Sequence, residues 1–208
     1  MTTRHRLGFA LALVLGLAAC STAPEQKAET KAPSADPPRT GREAFQEMYV
    51  QARGWAVDAQ PLQVQSYNLK QMKSEGGKAA VWRATFVSAS LHQARTYAWS
   101  AVEDTDNDLH RGVSAAPAES WSGPGTQRPF LLAALRSDTD KALEAALARK
   151  ETQEYVKKNP GQPVMYLLEA TDRFPDPAWR VVWGDSIATS GYSVFVDAST
   201  GQFLKRTF

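Results

Sequence analysis

The chain is poor in the residues that most often build reactive or cross-linked sites. It has one cysteine, Cys20, and three histidines in 208 residues. A single thiol excludes an intramolecular disulfide and a metal site built on paired cysteines. Lys and Arg (24) nearly balance Asp and Glu (22), and no Lys/Arg block occurs, so the sequence gives no support for nucleic-acid binding. Stability must therefore come from a core of apolar and aromatic residues.

The N-terminus has the order of a secretory signal. Basic residues precede an apolar run over residues 7–17, which is shorter than the roughly 20 residues that a bilayer core requires. The run ends in Leu-Ala-Ala-Cys at residues 17–20, which resembles the lipobox of bacterial lipoproteins. This resemblance implies that residues 1–19 are a signal peptide, removed by cleavage, and that Cys20 is lipidated.

Two alternatives stay open for this segment: a transmembrane anchor, which the short run disfavours, and an unlipidated signal with a free thiol, which is unexpected in an exported protein. Ser21 follows Cys20 where an aspartate would, by resemblance, favour the inner membrane. The lipobox therefore implies the cell envelope, at the periplasmic face of the outer membrane in a Gram-negative source. Residues 20–39 contain several prolines and no aromatic residue, so we expect a flexible tether.

Residues 40–113 are predicted to form a first α+β unit. Thr40 and Glu43 match a capping box, and apolar residues then recur at helical spacing up to Ala56. Alternating apolar residues predict strands over residues 62–69, 80–88 and 95–102.

A linker over residues 114–136 is predicted to precede a second α+β unit, residues 137–208. Ser137 or Asp138 caps one helix, which ends at Asn159 before a proline. Strands are predicted over residues 164–170, 179–183, 192–197 and 202–206.

The same order of elements occurs twice, which favours an internal duplication. Trp82-Arg83 in the first unit corresponds to Trp179-Arg180 in the second, and an aromatic residue follows each tryptophan by four positions. Two unrelated hairpins of similar pattern are the alternative.

The second unit resembles a PepSY domain over roughly residues 137–206. The resemblance depends on the tryptophan strand at 177–183 and on Val-Asp-Ala-Ser-Thr-Gly at 196–201. It implies a small α+β module that catalyses nothing and that, in some members, inhibits or chaperones peptidases. The first unit would be a degenerate copy, because an acidic run at 104–108 replaces the Asp-to-Gly turn.

Four residues carry this signature, and each has a structural interpretation. We expect Trp82 and Trp179 to fill the core between helix and sheet instead of forming ligand platforms. Asp197 is expected to accept backbone amides in a turn, and Gly201 to adopt a positive φ.

The chemistry-bearing residues are few. Asp104, Asp106 and Asp108 alternate like the first ligands of a calcium loop, but Leu109 and Ala115 occupy the positions of its glycine and its bidentate glutamate. We interpret the run as a solvated acidic turn, with weak cation binding as the alternative. An envelope hydrolase is a remote alternative, because the chain has no Gly-x-Ser-x-Gly motif.

The sequence as a whole favours a non-catalytic, membrane-anchored interaction module without a cofactor. Its anchor is the lipid on Cys20, and its partner is an envelope protein, with a peptidase as one class. An extended peptide could add to an edge strand of such a sheet. A protein that binds a small ligand or a divalent cation is the alternative of a different class.

Overall fold

The computed structural model describes residues 35–207, so the predicted signal peptide, Cys20 and most of the tether lie outside the described residues. The described residues belong to one compact unit, and the core cluster lies within it. Residues 36–39, predicted as the end of the tether, form main-chain hydrogen bonds with the folded unit. The amide of Asp36 donates to the carbonyl of Ala101 at 2.8 Å, and Arg39–Thr40 form a short strand, β1.

The first helix, α1 (Gly41–Trp55), begins with the predicted capping box. The Thr40 hydroxyl accepts the amide of Glu43 at 3.4 Å, and the Glu43 carboxylate accepts the amide of Thr40 at 2.9 Å. These two bonds satisfy amides that have no partner within the helix. The bond from the Thr40 amide is also the largest cause that lowers the pKa of the Glu43 carboxyl.

The prediction of one long second helix was wrong. The segment forms α2 (Thr139–Leu147) and α3 (Lys150–Lys158), because the ladder is interrupted after Leu147. The Gln153 side-chain amide donates to the freed Leu147 carbonyl at 2.8 Å. The break allows α2 to bury alanines while α3 reaches the sheet through Thr152, whose hydroxyl contacts the Tyr192 hydroxyl at 2.8 Å.

All strands of the main sheet are antiparallel. Its strands are β2 (Gln60–Tyr67), β4 (Val81–Ser88), β5 (Gln93–Ser100), β6 (Gly112–Ala115), β7 (Glu119–Ser120), β8 (Gln127–Arg128), β9 (Val164–Thr171), β10 (Ala178–Trp183), β11 (Tyr192–Asp197) and β12 (Phe203–Thr207). Their order across the sheet is β12-β11-β10-β9-β2-β4-β5-β6, while β7 pairs with β5 and β8 with β9. The short strand β3 (Lys78–Ala79) pairs with β1 outside this sheet.

The α+β prediction is confirmed, because residues 35–207 form one large antiparallel sheet with three α-helices. The two halves of the chain share this sheet, because β2 pairs with β9 and places Val64 opposite Leu168. In each half a helical segment precedes a run of consecutive antiparallel strands. The helices cover the face that carries Val64 and Leu168, and a single cluster of buried residues lies beneath both α1 and α2.

Residues 114–136, predicted as a linker, are built into the fold. They contain β7, β8 and a 3-10 turn at Leu132–Ala134. Phe130 and Leu135 are buried in the core, and the Phe130 amide donates to the Pro61 carbonyl at 3.0 Å. The segment therefore packs onto the sheet and reaches the helix layer.

Candidate functional site

A cleft lies between α1 and the 3-10 turn at Leu132–Ala134. Its volume is about 490 Å³. Phe45 and Tyr49 stack with ring centroids 5.7 Å apart and form its aromatic side. Val50 on α1 is 67% exposed and Leu132 is 41% exposed, so the cleft presents apolar surface to solvent. Apolar patches that are open to solvent are typical of sites where proteins bind partners or ligands.

The wall opposite α1 is formed by residues 132–136. Hydrogen bonds from α1 on one side and with residues 198–199 on the other hold it in place. The Arg42 guanidinium donates to the Arg136 carbonyl at 2.9 Å, and the Arg136 amide donates to the Ala198 carbonyl at 2.9 Å. The Ser199 hydroxyl donates to the Ala134 carbonyl at 2.7 Å. The cleft is therefore largely preformed, which lowers the ordering cost of binding.

The charged side chains that line the cleft are positive. Among its lining residues within the described part of the chain, only Arg42 and Arg136 are charged. Guanidinium groups form charge-assisted, often bidentate hydrogen bonds with carboxylates. The arrangement suits apolar side chains that are accompanied by a carboxylate. It offers no nucleophile paired with a base.

The predicted signature turn supports this wall. One Asp197 carboxylate oxygen accepts the amides of Ser199 and Thr200 at 2.8 and 2.7 Å, and Gly201 has a φ of 72°. The geometry matches the expected structural role of both residues. It also positions Ala198 and Ser199, which hold the cleft wall.

The two signature tryptophans lie in the core and do not line the cleft. Trp82 and Trp179 are both fully buried. The Trp82 indole donates to the Arg39 carbonyl at 3.0 Å, and the Trp179 indole donates to the Ser137 carbonyl at 2.9 Å. Their role in the structure is to fix the starts of α1 and α2.

The acidic run forms a local turn. The amide of Asp104 donates to the Leu109 carbonyl at 2.8 Å, and the Asp104 carboxylate accepts from the side-chain amide of Asn107 at 2.7 Å. Asp108 has a φ of 53°. No group of three or more His, Cys, Asp or Glu side chains within residues 35–207 is arranged to hold a metal ion, so Asp104, Asp106 and Asp108 do not form such a cluster.

The two histidines of the described chain do not form a catalytic constellation. His92 lies in the β4–β5 hairpin with a φ of 52°. His110 contacts the Glu103 carboxylate at 2.9 Å, and this bond, after the one from the Arg111 amide, lowers the pKa of Glu103. Neither histidine side chain forms a hydrogen bond with a serine, threonine or cysteine side chain in the part of the chain that the structure describes.

Reasoning from the sequence missed the cleft because it assigned residues 114–136 to a linker. A signal was available: Phe130-Leu131-Leu132, followed by Leu135, is too apolar for a solvated linker. Trp121, in the same segment, does not line the cleft. Its amide donates to the His92 carbonyl, at the tip of the β4–β5 hairpin.

Comparisons of the chain with models of protein families, with curated proteins and with solved structures find no match. None of the helices within residues 35–207 is long and apolar enough to cross a membrane.

Proposed function

We propose that the chain is a non-catalytic interaction module of the bacterial cell envelope that binds a segment of a partner protein in the cleft beside α1. The observation that carries this proposal is the cleft itself, which is open, largely apolar and about 490 Å³ in volume. The charged residues that line it, among those that the structure describes, are both arginines. Its wall is held by main-chain hydrogen bonds before any partner arrives.

The occupant is a peptide segment with one or two large apolar side chains next to a carboxylate. Phe45, Tyr49 and Leu132 provide the apolar contacts, and Arg42 and Arg136 provide the charge complementarity. A volume of this size accommodates a few side chains and not a whole domain. The partner is therefore recognised through a short segment.

The location belongs to the same proposal. Lipidation of Cys20 would hold the module at the periplasmic face of the outer membrane and raise its effective concentration for membrane-bound partners. A Cys20→Ser variant should then move from the membrane fraction to the soluble periplasmic fraction. A variant that stays with the membrane would contradict the anchor.

Two PepSY-like units, residues 40–113 and 137–208, are the evolutionary part of the proposal. Two features support it: the repeated order of elements and the matching hydrogen bonds of Trp82 and Trp179 to carbonyls that precede a helix. The PepSY resemblance adds a peptidase as one class of partner.

Site-specific photo-crosslinking in intact cells tests the cleft. A photoreactive phenylalanine analogue replaces Val50 or Leu132 on the cleft, and Val57 serves as the control because it is 79% exposed and does not line the cleft. We expect the same protein to be captured from positions 50 and 132 and not from position 57. An added Arg42→Glu substitution should reduce capture, because it reverses a charge of the cleft.

The contrary result is also clear. Equal capture at positions 50, 132 and 57, or capture that is indifferent to Arg42→Glu, would show that the cleft is not the binding surface.

A further inference from the structure

On the sheet face opposite the helices, two arginines share one aromatic ring. The guanidinium carbon of Arg173 lies 5.4 Å from the centre of the Phe195 ring, and that of Arg180 lies 5.6 Å from it. Phe174 packs beside Phe195 with ring centroids 4.9 Å apart, and Arg173 also lies over the Phe174 ring at 5.3 Å. We call this group the arginine pair.

Both side chains are positioned by the fold while most of their donors stay free. Phe195 is 9% exposed and gives the two guanidiniums a fixed surface. Nε of Arg180 donates to the Ser193 hydroxyl at 2.9 Å, and Ser193 in turn contacts the Thr207 hydroxyl. Within residues 35–207, the terminal nitrogens of Arg180 form no hydrogen bond, and Arg173 forms neither a hydrogen bond nor an ion pair.

No acidic side chain within residues 35–207 forms an ion pair with Arg173 or Arg180. Burial and the charge of Arg173 lower the pKa of Arg180, while Glu169 acts in the opposite direction. Glu169 is the acid that acts on Arg180, but its carboxylate accepts a hydrogen bond from Gln127 and forms no ion pair with either arginine. Lys205 lies opposite Phe195 on β12, on the same face, and is exposed. A bound anion would offset the repulsion between Arg173 and Arg180 and the cost of burying the Arg180 charge.

We propose that the arginine pair is a binding site for a phosphate group. The two guanidiniums that pack on one ring retain several N–H donors that form no hydrogen bond within residues 35–207. Lys205, exposed on the neighbouring strand and on the same sheet face, adds a third positive charge. Phosphate offers several acceptor oxygens and suits the bidentate geometry of arginine. A free phosphate and the headgroup of an anionic phospholipid present the same chemistry, and the second source would be abundant for a protein held at a membrane.

Phosphate titration monitored by NMR tests the site directly. The chain is used from residue 20 onward with Cys20→Ser, which leaves the compact unit and its core intact. The Nε–H signals of Arg173 and Arg180 should shift and saturate with inorganic phosphate, and not with chloride at equal ionic strength. Arg173→Gln and Arg180→Gln should each weaken binding by about tenfold or more, as expected for the loss of charge-assisted hydrogen bonds.

Two further variants separate the proposal from general electrostatics. Arg53→Gln removes an exposed arginine from the helix layer, on the other side of the sheet, and should change phosphate affinity by less than about twofold. Arg180→Lys keeps the charge but loses the planar fork, so it should bind more weakly than the wild type. If chloride shifts the same signals, or if Arg53→Gln weakens binding as much as Arg173→Gln, the site does not exist.

Vesicles distinguish the two sources of phosphate. If a lipid headgroup is the ligand, vesicles that contain phosphatidylglycerol should sediment the protein, pure phosphatidylcholine vesicles should not, and the double variant Arg173→Gln/Arg180→Gln should remain in solution. Binding of inorganic phosphate without sedimentation would identify free phosphate as the ligand. Sedimentation that the double variant retains would refute a lipid role for the arginine pair.

Discussion

Trp82 and Trp179 meet edge to face in the core, with ring centroids 6.4 Å apart and an interplanar angle of 73°. Each indole donates to the carbonyl of the residue just before a helix cap: Arg39 before Thr40, and Ser137 before Asp138. One pair of residues thus links the two halves of the sheet and fixes the starts of α1 and α2.

We predict that Trp82→Phe and Trp179→Phe destabilise the protein by similar amounts. Each substitution leaves a carbonyl in or near the core without its donor, which costs about 1–3 kcal/mol. Urea unfolding measures the change, with Trp55→Phe as the control. Trp55 is partly buried, and its indole forms no hydrogen bond within the described residues. A loss for Trp55→Phe equal to that of the core variants would assign the effect to ring size alone.

The same junction depends on the hydroxyl of Thr139. This group accepts the amide of Gly41 at 2.9 Å and donates to the Gly77 carbonyl at 2.6 Å, so it joins both halves. Thr139→Val keeps the shape but removes both bonds, and the buried amide and carbonyl lose their partner. We expect a loss of about 2–4 kcal/mol in unfolding free energy, while Thr139→Ser, which keeps the hydroxyl, loses less than half as much. Equal losses for the two variants would contradict this role of the hydroxyl.

Position 77, at the same junction, requires glycine for two reasons. Its φ is 85°, and an added Cβ would lie 2.4 Å from the backbone of Asp140. We predict that Gly77→Ala lowers the melting temperature by more than Gly76→Ala. Gly76 also has a positive φ, but nothing lies within 4 Å of its added Cβ. Both variants carry the cost of placing alanine at a positive φ, so the difference between their melting temperatures measures the clash with the Asp140 backbone. Similar melting temperatures would show that the clash adds nothing to that cost.

Whether a feature of the fold could be predicted from the sequence depends on how far apart along the chain its interacting residues are. The capping box at Thr40 and the alternation around Trp82 are local, and the structure contains the helix and the strand that they predicted. The pairing of Val64 with Leu168 joins strands that are about a hundred residues apart, and side-chain periodicity carries no information on such a partner. The shared sheet therefore could not be read from the pattern.

The apolar run at 130–135 could have placed its segment in the core, but the geometry of the candidate cleft was beyond prediction for a related reason. Its α1 side belongs to a predicted helix, but its other wall depends on hydrogen bonds from Arg42 and Ser199 to main-chain carbonyls of residues 134–136. Main-chain acceptors have no sequence signature. The arginine pair was hidden in the same way, because Arg173 and Arg180 meet over Phe195 only once β10 and β11 are paired.

The carboxylate of Asp58 is expected to make the stability of the fold depend on pH in the acid range. Its carboxylate accepts the Ser88 hydroxyl at 2.6 Å and the Ser90 amide at 2.9 Å, at the start of the β4–β5 hairpin. These bonds, that of Ser88 first, lower the pKa of Asp58 from its ordinary 3.8 to about 2. A depressed pKa means that the carboxylate stabilises the fold above the pKa of the unfolded chain. This contribution is lost as the pH falls from about 4 to about 2.

Asp58→Asn should therefore be less stable than the wild type at neutral pH, and the difference should shrink as the solution is acidified through that window. Urea unfolding at about pH 7, 4 and 2.5 measures the difference. Asp185→Asn is the matched control, because Asp185 is exposed and forms no ion pair or hydrogen bond within residues 35–207. In a Ser88→Ala background the pKa of Asp58, followed by NMR, should rise toward its ordinary value. A difference that stays constant from pH 7 to about 2.5 would show that the ionised carboxylate does not stabilise the hairpin.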